Sequence, residues 1–295
     1  MRPEKFAENP PGEVEMVDGV FAFSPDPLPP DLEATHDLLT ENGDAMYAVG
    51  QLSDLDRWLD SPEVVLSPLI HREAVDSSNI ETTTRLTLSD IYRREAGEEP
   101  GQTETERADI TEAQNYVEAI TVGIESLRNG AELDRDLLCR LHEILLQGAR
   151  GEQKNPGEFR TDLVGIGEPG TPLSEARFVP TPPASIPYAL RSLLQYIRSG
   201  PTYAPLVDLA LIHYQFETIH PFQDGNGRLG RLLVMLALYK WELLPGPYLY
   251  PSSYFNANRD AYLDKSLAVS RDGAWTEWVS FFIQAIAEQG REAYT

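Results

Sequence analysis

Seven consecutive apolar residues, Leu232-Leu233-Val234-Met235-Leu236-Ala237-Leu238, constrain this chain more than any other stretch. A segment apolar on every side is stable only where neighbours cover all of it, so it reads as a helix at the centre of the fold. The residues before it are of the opposite character. Positions 220–231 read His-Pro-Phe-Gln-Asp-Gly-Asn-Gly-Arg-Leu-Gly-Arg. Gly225 and Gly227 can take backbone angles closed to other residues, and Asn226 tolerates them better than most. A turn of this kind at a helix start aims successive N–H groups, and the positive end of the helix dipole, at one anion. Arg228 and Arg231 are three apart and share a face of the first turn. With a proton acceptor at His220 and a carboxylate at Asp224, these are parts for handling a polyphosphate.

Gly225-Asn226-Gly227-Arg228-Leu229-Gly230 also satisfies the dinucleotide fingerprint G-x-G-x-x-G, which needs a strand before it and an acid about 20 residues after it. Neither is present. Leu206, Leu209, Ala210, His213 and Phe216 recur at helical spacing ahead of the turn, and positions 246–253 hold no acid. Helical patterns also cover about 31–41, 44–59, 69–81, 103–129, 137–147, 184–199, 205–219, 226–242, 252–270 and 274–291. The first 30 residues carry seven prolines and read as an extended arm with little structure of its own. Residues 156–182 differ from both, with short β-prone runs at Leu163-Val164-Gly165-Ile166 and Arg177-Phe178-Val179 around a Gly/Pro-rich turn. The expected fold is all-α, a helical bundle with a small β-hairpin.

Net charge is −23 over 295 residues, which argues against nucleic acid or an anionic membrane as a general partner. Cys139 stands alone, so no disulfide framework or cysteine metal cluster is available. No apolar run approaches bilayer length and the first 15 residues have no apolar signal core, so a cytoplasmic location is expected. His36, His71, His142 and His213 lie on helical patterns and are assigned no chemistry.

Residues 220–231 resemble the signature of the Fic family (filamentation induced by cAMP), His-x-Phe-x-Asp/Glu-Gly-Asn-Gly-Arg-x-x-Arg, at every fixed position. The resemblance implies a Fic-type bundle divided into an arm (1–30), an N-terminal helical region (31–100), a catalytic core (101–245) and C-terminal helices (246–295). Gly157, Phe159 and Arg160 resemble the entry to that family's flap, here 157–182, beside the active site. Ser77 and Glu81, four apart on one helical face, resemble its inhibitory motif, Ser/Thr-x-x-x-Glu-Gly/Asn. Thr82 departs from the small residue the motif expects.

The activity implied is transfer of AMP from ATP, with Mg²⁺, to a Ser, Thr or Tyr hydroxyl of a target protein or of the chain itself. His220 would be the base and Asp224 the metal ligand. Gly225, Asn226, Gly227, Arg228 and Arg231 would bind the phosphates, with Arg231 on the γ-phosphate. Tyr254 and Asn258 would border the adenine. Glu81, paired with Arg231, would block the γ-phosphate position. A homodimer is compatible with the chain. Three other readings stand beside this one. They are removal of AMP by the same site, a phosphotransferase like the death-on-curing toxins (against which the intact Gly225-Asn226-Gly227 argues), and a non-enzymatic binding module.

Overall fold

A computed structural model describes residues 3–33, 35–54, 62–81, 85–99, 101, 103–167 and 170–294. Among them are two strands, β1 (Gly12–Val17) and β2 (Val20–Pro25), and eleven α-helices. The helices are α1 (His36–Ser53), α2 (Pro62–Glu81), α3 (Leu88–Glu95), α4 (Glu104–Arg128), α5 (Arg135–Leu146), α6 (Ile186–Ser199), α7 (Pro205–Ile219), α8 (Asn226–Lys240), α9 (Ser252–Ala257), α10 (Arg259–Asp272) and α11 (Trp275–Tyr294). The all-α expectation holds, with one two-stranded sheet.

Helix α8 is the axis. Leu229, Leu232, Leu233 and Leu236 enter a core shared with α4, α5 and α6, while Val234, Ala237 and Leu238 enter a second core shared with α1, α7 and α11. Two cores on opposite sides are why the run from Leu232 to Leu238 has no polar face. Local chemistry sets the helix starts. Thr103 and Glu106 form a reciprocal capping box on α4, with bonds of 2.9 and 3.1 Å. Asp134 caps α5 through the Leu137 N–H.

Three expectations are corrected. The patterns at 31–41 and 44–59 form one helix through Gly43, because Leu38, Ala45, Val49 and Leu52 keep a single stripe buried beside α11. Residues 55–61 lie outside the described part. The pattern at 252–270 breaks at Asn258 (φ −118°, ψ 37°) into α9 and α10. The arm is also not structureless: β1 and β2 pair antiparallel around Asp18-Gly19, both at positive φ. Val17-Asp18-Gly19-Val20 is a two-residue hairpin signal. The prolines hid it, yet none interrupts a strand: Pro10 and Pro11 precede β1 and Pro25 ends β2.

The flap is less regular than the hairpin expected there. Among its described residues it has a single antiparallel bridge between Ile166 and Phe178, with N···O distances of 2.8 and 3.1 Å, and a short 3₁₀ turn at Leu173–Glu175.

Candidate active site

Helix α7 delivers His220 to the start of the signature and stops there. His220 is left-handed (φ 50°, ψ 62°) and its N–H closes the last turn onto Phe216 O at 2.9 Å. A non-glycine residue holds such angles only where its surroundings fix them. Here Arg160 fixes them. Its Nε donates to His220 O at 2.7 Å, its backbone N–H to Pro221 O at 3.0 Å, and its guanidinium to the carbonyls of Asp162, Thr181 and Ile219. One buried arginine thus ties both ends of the flap to the signature. Burial lowers its pKa to about 10, which leaves it charged near neutrality.

The His220 ring is oriented by its own helix. Nδ1 lies 3.2 Å from Glu217 O. A carbonyl can only accept, so Nδ1 carries the proton and Nε2 keeps a lone pair. Burial, reinforced by the positive charge of Arg160, lowers the pKa of His220 to about 4. The imidazole is therefore neutral at physiological pH and able to take a proton.

The turn that follows is held from two sides. Asn226 bonds both backbone groups of Phe222, Oδ1 to its N–H at 2.9 Å and Nδ2 to its carbonyl at 2.8 Å. His142 lies under Phe222 with ring centroids 3.8 Å apart. Its Nδ1 accepts from Gly157 N–H at 2.9 Å, so Nε2–H donates to Asp224 O at 2.8 Å. His142 was assigned no chemistry from sequence, and it is the post on which the signature loop rests. Its pattern on α5 was indistinguishable from a packed core histidine.

The first hydrogen bond of α8 runs from Leu229 N to Gly225 O at 3.1 Å, so the N–H groups of Asn226, Gly227 and Arg228 precede it and have no acceptor within the helix. Gly225 N–H is engaged by Asp224 Oδ1 at 2.6 Å, which moves the cradle one residue beyond the expected 225–227. Gly225 itself is left-handed (φ 75°), as the turn requires. Asp224 is 45% exposed at its side chain, and among the described residues no group of three His, Cys, Asp or Glu side chains could hold a metal.

Arg228 is buried. Its Nη1 lies 2.9 Å from Glu112 Oε2 without hydrogen-bond alignment, and its Nε has no partner. Glu112, on α4, also meets Arg150 at 3.1 Å. No local sequence signal pairs Glu112 with Arg228, which lies on a separate helix.

Arg231 is 1% exposed and is held by α2. Nε donates to Ser77 Oγ at 2.8 Å, and Nη2 to Ser77 O at 3.0 Å and to Glu81 Oε1 at 2.9 Å. A β-carbon on Gly227 would collide with the Glu81 carboxylate, so Glu81 covers the first turn of α8 where an anion would sit. Partial burial opposes ionisation of Glu81, and Arg231 outweighs it and holds the carboxyl below its usual range. Thr82 lies outside the described residues.

Helix α2 is anchored along its length. Glu73 accepts from Tyr116 OH and from Ser252 N–H and Oγ–H, Asp76 accepts from Ser253 and Asn256, and Arg259 Nε donates to Ile80 O at 2.9 Å. Burial pushes Glu73 up to about 7.

Two expectations about neighbours sort differently. Asn258 stays exposed and bonds Tyr254 O at 3.0 Å, while Tyr254 leans on Phe281 with centroids 5.4 Å apart. Tyr262 lies beyond the break at Asn258, and its OH reaches His213 Nε2 at 2.8 Å in the core. Glu217 was not expected at the site. Its carboxylate fills the space a β-carbon on Gly230 would need, its Oε1 has no hydrogen-bond partner, and burial pushes its pKa up to about 8.

A buried helix thus opens on three amides that precede its first hydrogen bond, beside a neutral histidine and an arginine paired with a carboxylate. Residues 132–238 match the model of the Fic/DOC family and residues 39–125 that of the Fic/DOC family N-terminal region, together well over half of the chain. The chain belongs to the Fic/DOC family.

A probable protein adenylyltransferase of Aquifex aeolicus is 36% identical over 86 residues, which cover 29% of this chain and 27% of that protein. Protein adenylyltransferase fic-1 of Caenorhabditis elegans is 29% identical over 111 residues, 37% of this chain and 20% of its own length. The chain thus spans between a fifth and a third of these curated relatives. The fold is shared with a Fic family protein from Desulfovibrio desulfuricans (TM-score 0.69, 24% identity, 90% of this chain and 76% of that one). It is also shared with a fragment of Caenorhabditis elegans Fic-1 (TM-score 0.64, 20% identity, 87% and 72%).

Proposed function

We propose that the chain is a protein adenylyltransferase, transferring AMP from ATP to a Ser, Thr or Tyr hydroxyl of a protein and releasing pyrophosphate. The observation that supports this most is the neutral His220, with Nε2 unprotonated, set beside the open N-terminus of α8. The target oxygen attacks the α-phosphorus, its proton passes to His220 Nε2, and the bond to the pyrophosphate oxygen breaks. A positioned base of this kind contributes about 10²–10⁴-fold.

The amides of Asn226, Gly227 and Arg228 hold the phosphates, and Arg228 has an unpartnered Nε for the same purpose. Arg231 receives the γ-phosphate once Glu81 has left. Tyr254 and Asn258 border the base. Asp224 suits Mg²⁺: it is a hard oxygen ligand, half open to solvent, and Mg²⁺ is commonly held by one or two carboxylates plus substrate phosphates. When bound there, Mg²⁺ neutralises charge on the α- and β-phosphates. The flap lies beside His220 through Arg160 and presents a backbone edge at Leu163–Ile166 that an extended target segment can pair with.

Labelled ATP tests the reaction. Label at the α-phosphate is expected on protein and label at the γ-phosphate in released pyrophosphate. Label from the γ-phosphate on protein replaces this reading with a phosphotransferase. The pH profile tests the base. With the pKa of His220 lowered, protonation removes activity only as pH falls toward about 4. The rate is therefore expected to show no acid limb near the ordinary histidine value of about 6.5. A limb centred there, lost in a His220 variant, would overturn the protonation assignment.

A further inference from the structure

The arm and the flap are one layer. Phe23 N–H on β2 donates to Val179 O at 3.0 Å, next to Phe178, whose backbone bridges Ile166. The backbone order is therefore β1, β2, the 178–179 segment, and the 163–166 segment. Side chains follow the same order. Ala22, Phe23, Ala176, Phe178 and Val179 form a small core of their own, apart from the two cores of the bundle. Phe23 is its centre, fully buried, with ring centroids 5.6 Å from Phe6 and 5.8 Å from Phe178.

The layer is pinned at its far side. Asp26 N–H bonds back to Pro11 O, Ala7 N–H bonds Arg271 O at 2.7 Å, and Gln215 on α7 donates to Asp26 O at 2.9 Å. Helix α7 ends at His220, so one rigid rod fixes both the base and the hairpin. Among its described residues the flap has one bridge of its own. Arg160 secures its ends, and the 163–166 edge between them rests on that bridge, an isolated pairing of a kind that is marginal in water.

We propose that the β1–β2 hairpin is the positioning element of the target-docking flap. It sets the height of the 163–166 edge over His220, and so aligns an extended peptide segment carrying the acceptor hydroxyl. Its partner chemistry is a peptide backbone in strand conformation, read by main-chain hydrogen bonds. The inference rests on the adenylyltransferase reading for its functional consequence, and on the packing around Phe23 for the mechanical one.

The test uses the full chain carrying Glu81→Gly, with and without Phe23→Ala. Hydrogen exchange of the Ile166, Ala176 and Phe178 amides, each hydrogen-bonded within the flap, is expected to rise at least about tenfold in the double variant, as local opening would give, while amides of α7 and α8 hold their rates. ATP–Mg²⁺ affinity by titration calorimetry is expected to stay the same, and label transferred to the proteins of a bacterial lysate to fall at least as much. Phe23→Leu, which keeps the apolar plug, is expected to restore both. Unchanged flap exchange overturns the proposal, as does equal acceleration in α7 and α8, or loss of ATP affinity alongside transfer. Absence of label from the Glu81→Gly parent would count against the adenylyltransferase reading alone, and the exchange rates would still decide the role of the hairpin.

Discussion

Replacing His220 with alanine is expected to lower AMP transfer by about 10²–10⁴-fold, the contribution of a positioned general base, with ATP affinity within a few-fold of its starting value. The fold should survive because the backbone at 220 is held by groups that the substitution leaves alone. Arg160 grips the carbonyl, not the ring, and the N–H closes onto Phe216 O. The ring makes one hydrogen bond, to Glu217 O within its own helix. Transfer measured with α-labelled ATP, together with thermal unfolding, separates chemistry from stability. Normal transfer in a folded variant would remove His220 from the mechanism.

Replacing Glu81 with glycine is expected to raise transfer by about tenfold or more. A charge-assisted hydrogen bond contributes about 1.5–3 kcal/mol, and about 1.4 kcal/mol is a factor of ten in an equilibrium. The Glu81 side chain is 43% exposed, and solvent screening puts the expectation at the lower end of that range. On the proposed reading, the carboxylate and the γ-phosphate would compete for one guanidinium and one patch of α8 backbone over Gly227, which the carboxylate now holds. Ser77 keeps its two bonds to Arg231 in the variant, so the arginine stays in place to receive the phosphate. Rates compared at saturating and limiting ATP check this. Unchanged activity, with ATP bound at equal affinity in both proteins, would show that the Glu81 contact is not inhibitory.

The helices were legible where local signals mark their ends. Pro205–Ile219 matches its pattern end to end because α7 has a proline at its start and a left-handed residue at its finish. The signature was legible because its chemistry is local: Asn226 fixes a turn four residues long, and the open amides belong to consecutive positions. The meeting of Glu81 with Arg231 was legible only through family resemblance, since about 150 residues separate them and spacing along α2 shows no partner, and the bonds of Ser77 to Arg231 were not expected at all. Arg160 stood in a recognised flap entry, but its five carbonyl partners sit in Asp162, Thr181, Ile219, His220 and Pro221, a set that no periodicity encodes. The bond to Pro221 comes from its own backbone N–H and the others from its side chain. His142 and Glu112 escaped for the same reason, being helix-face residues whose role is decided by what packs above them. The Asp18-Gly19 turn was different. Its signal was present and was outweighed by proline composition read without regard to position.

The embedding of α8 between two cores has a consequence for how such a protein diversifies. A rod sheathed on all sides cannot tilt or slide to suit a new acceptor without emptying packed space on one flank or the other. On the proposed reading, changes of preference are therefore confined to the rim, to the Glu81 latch and a ribbon that can be re-cut, while the start of α8 stays where the interior put it.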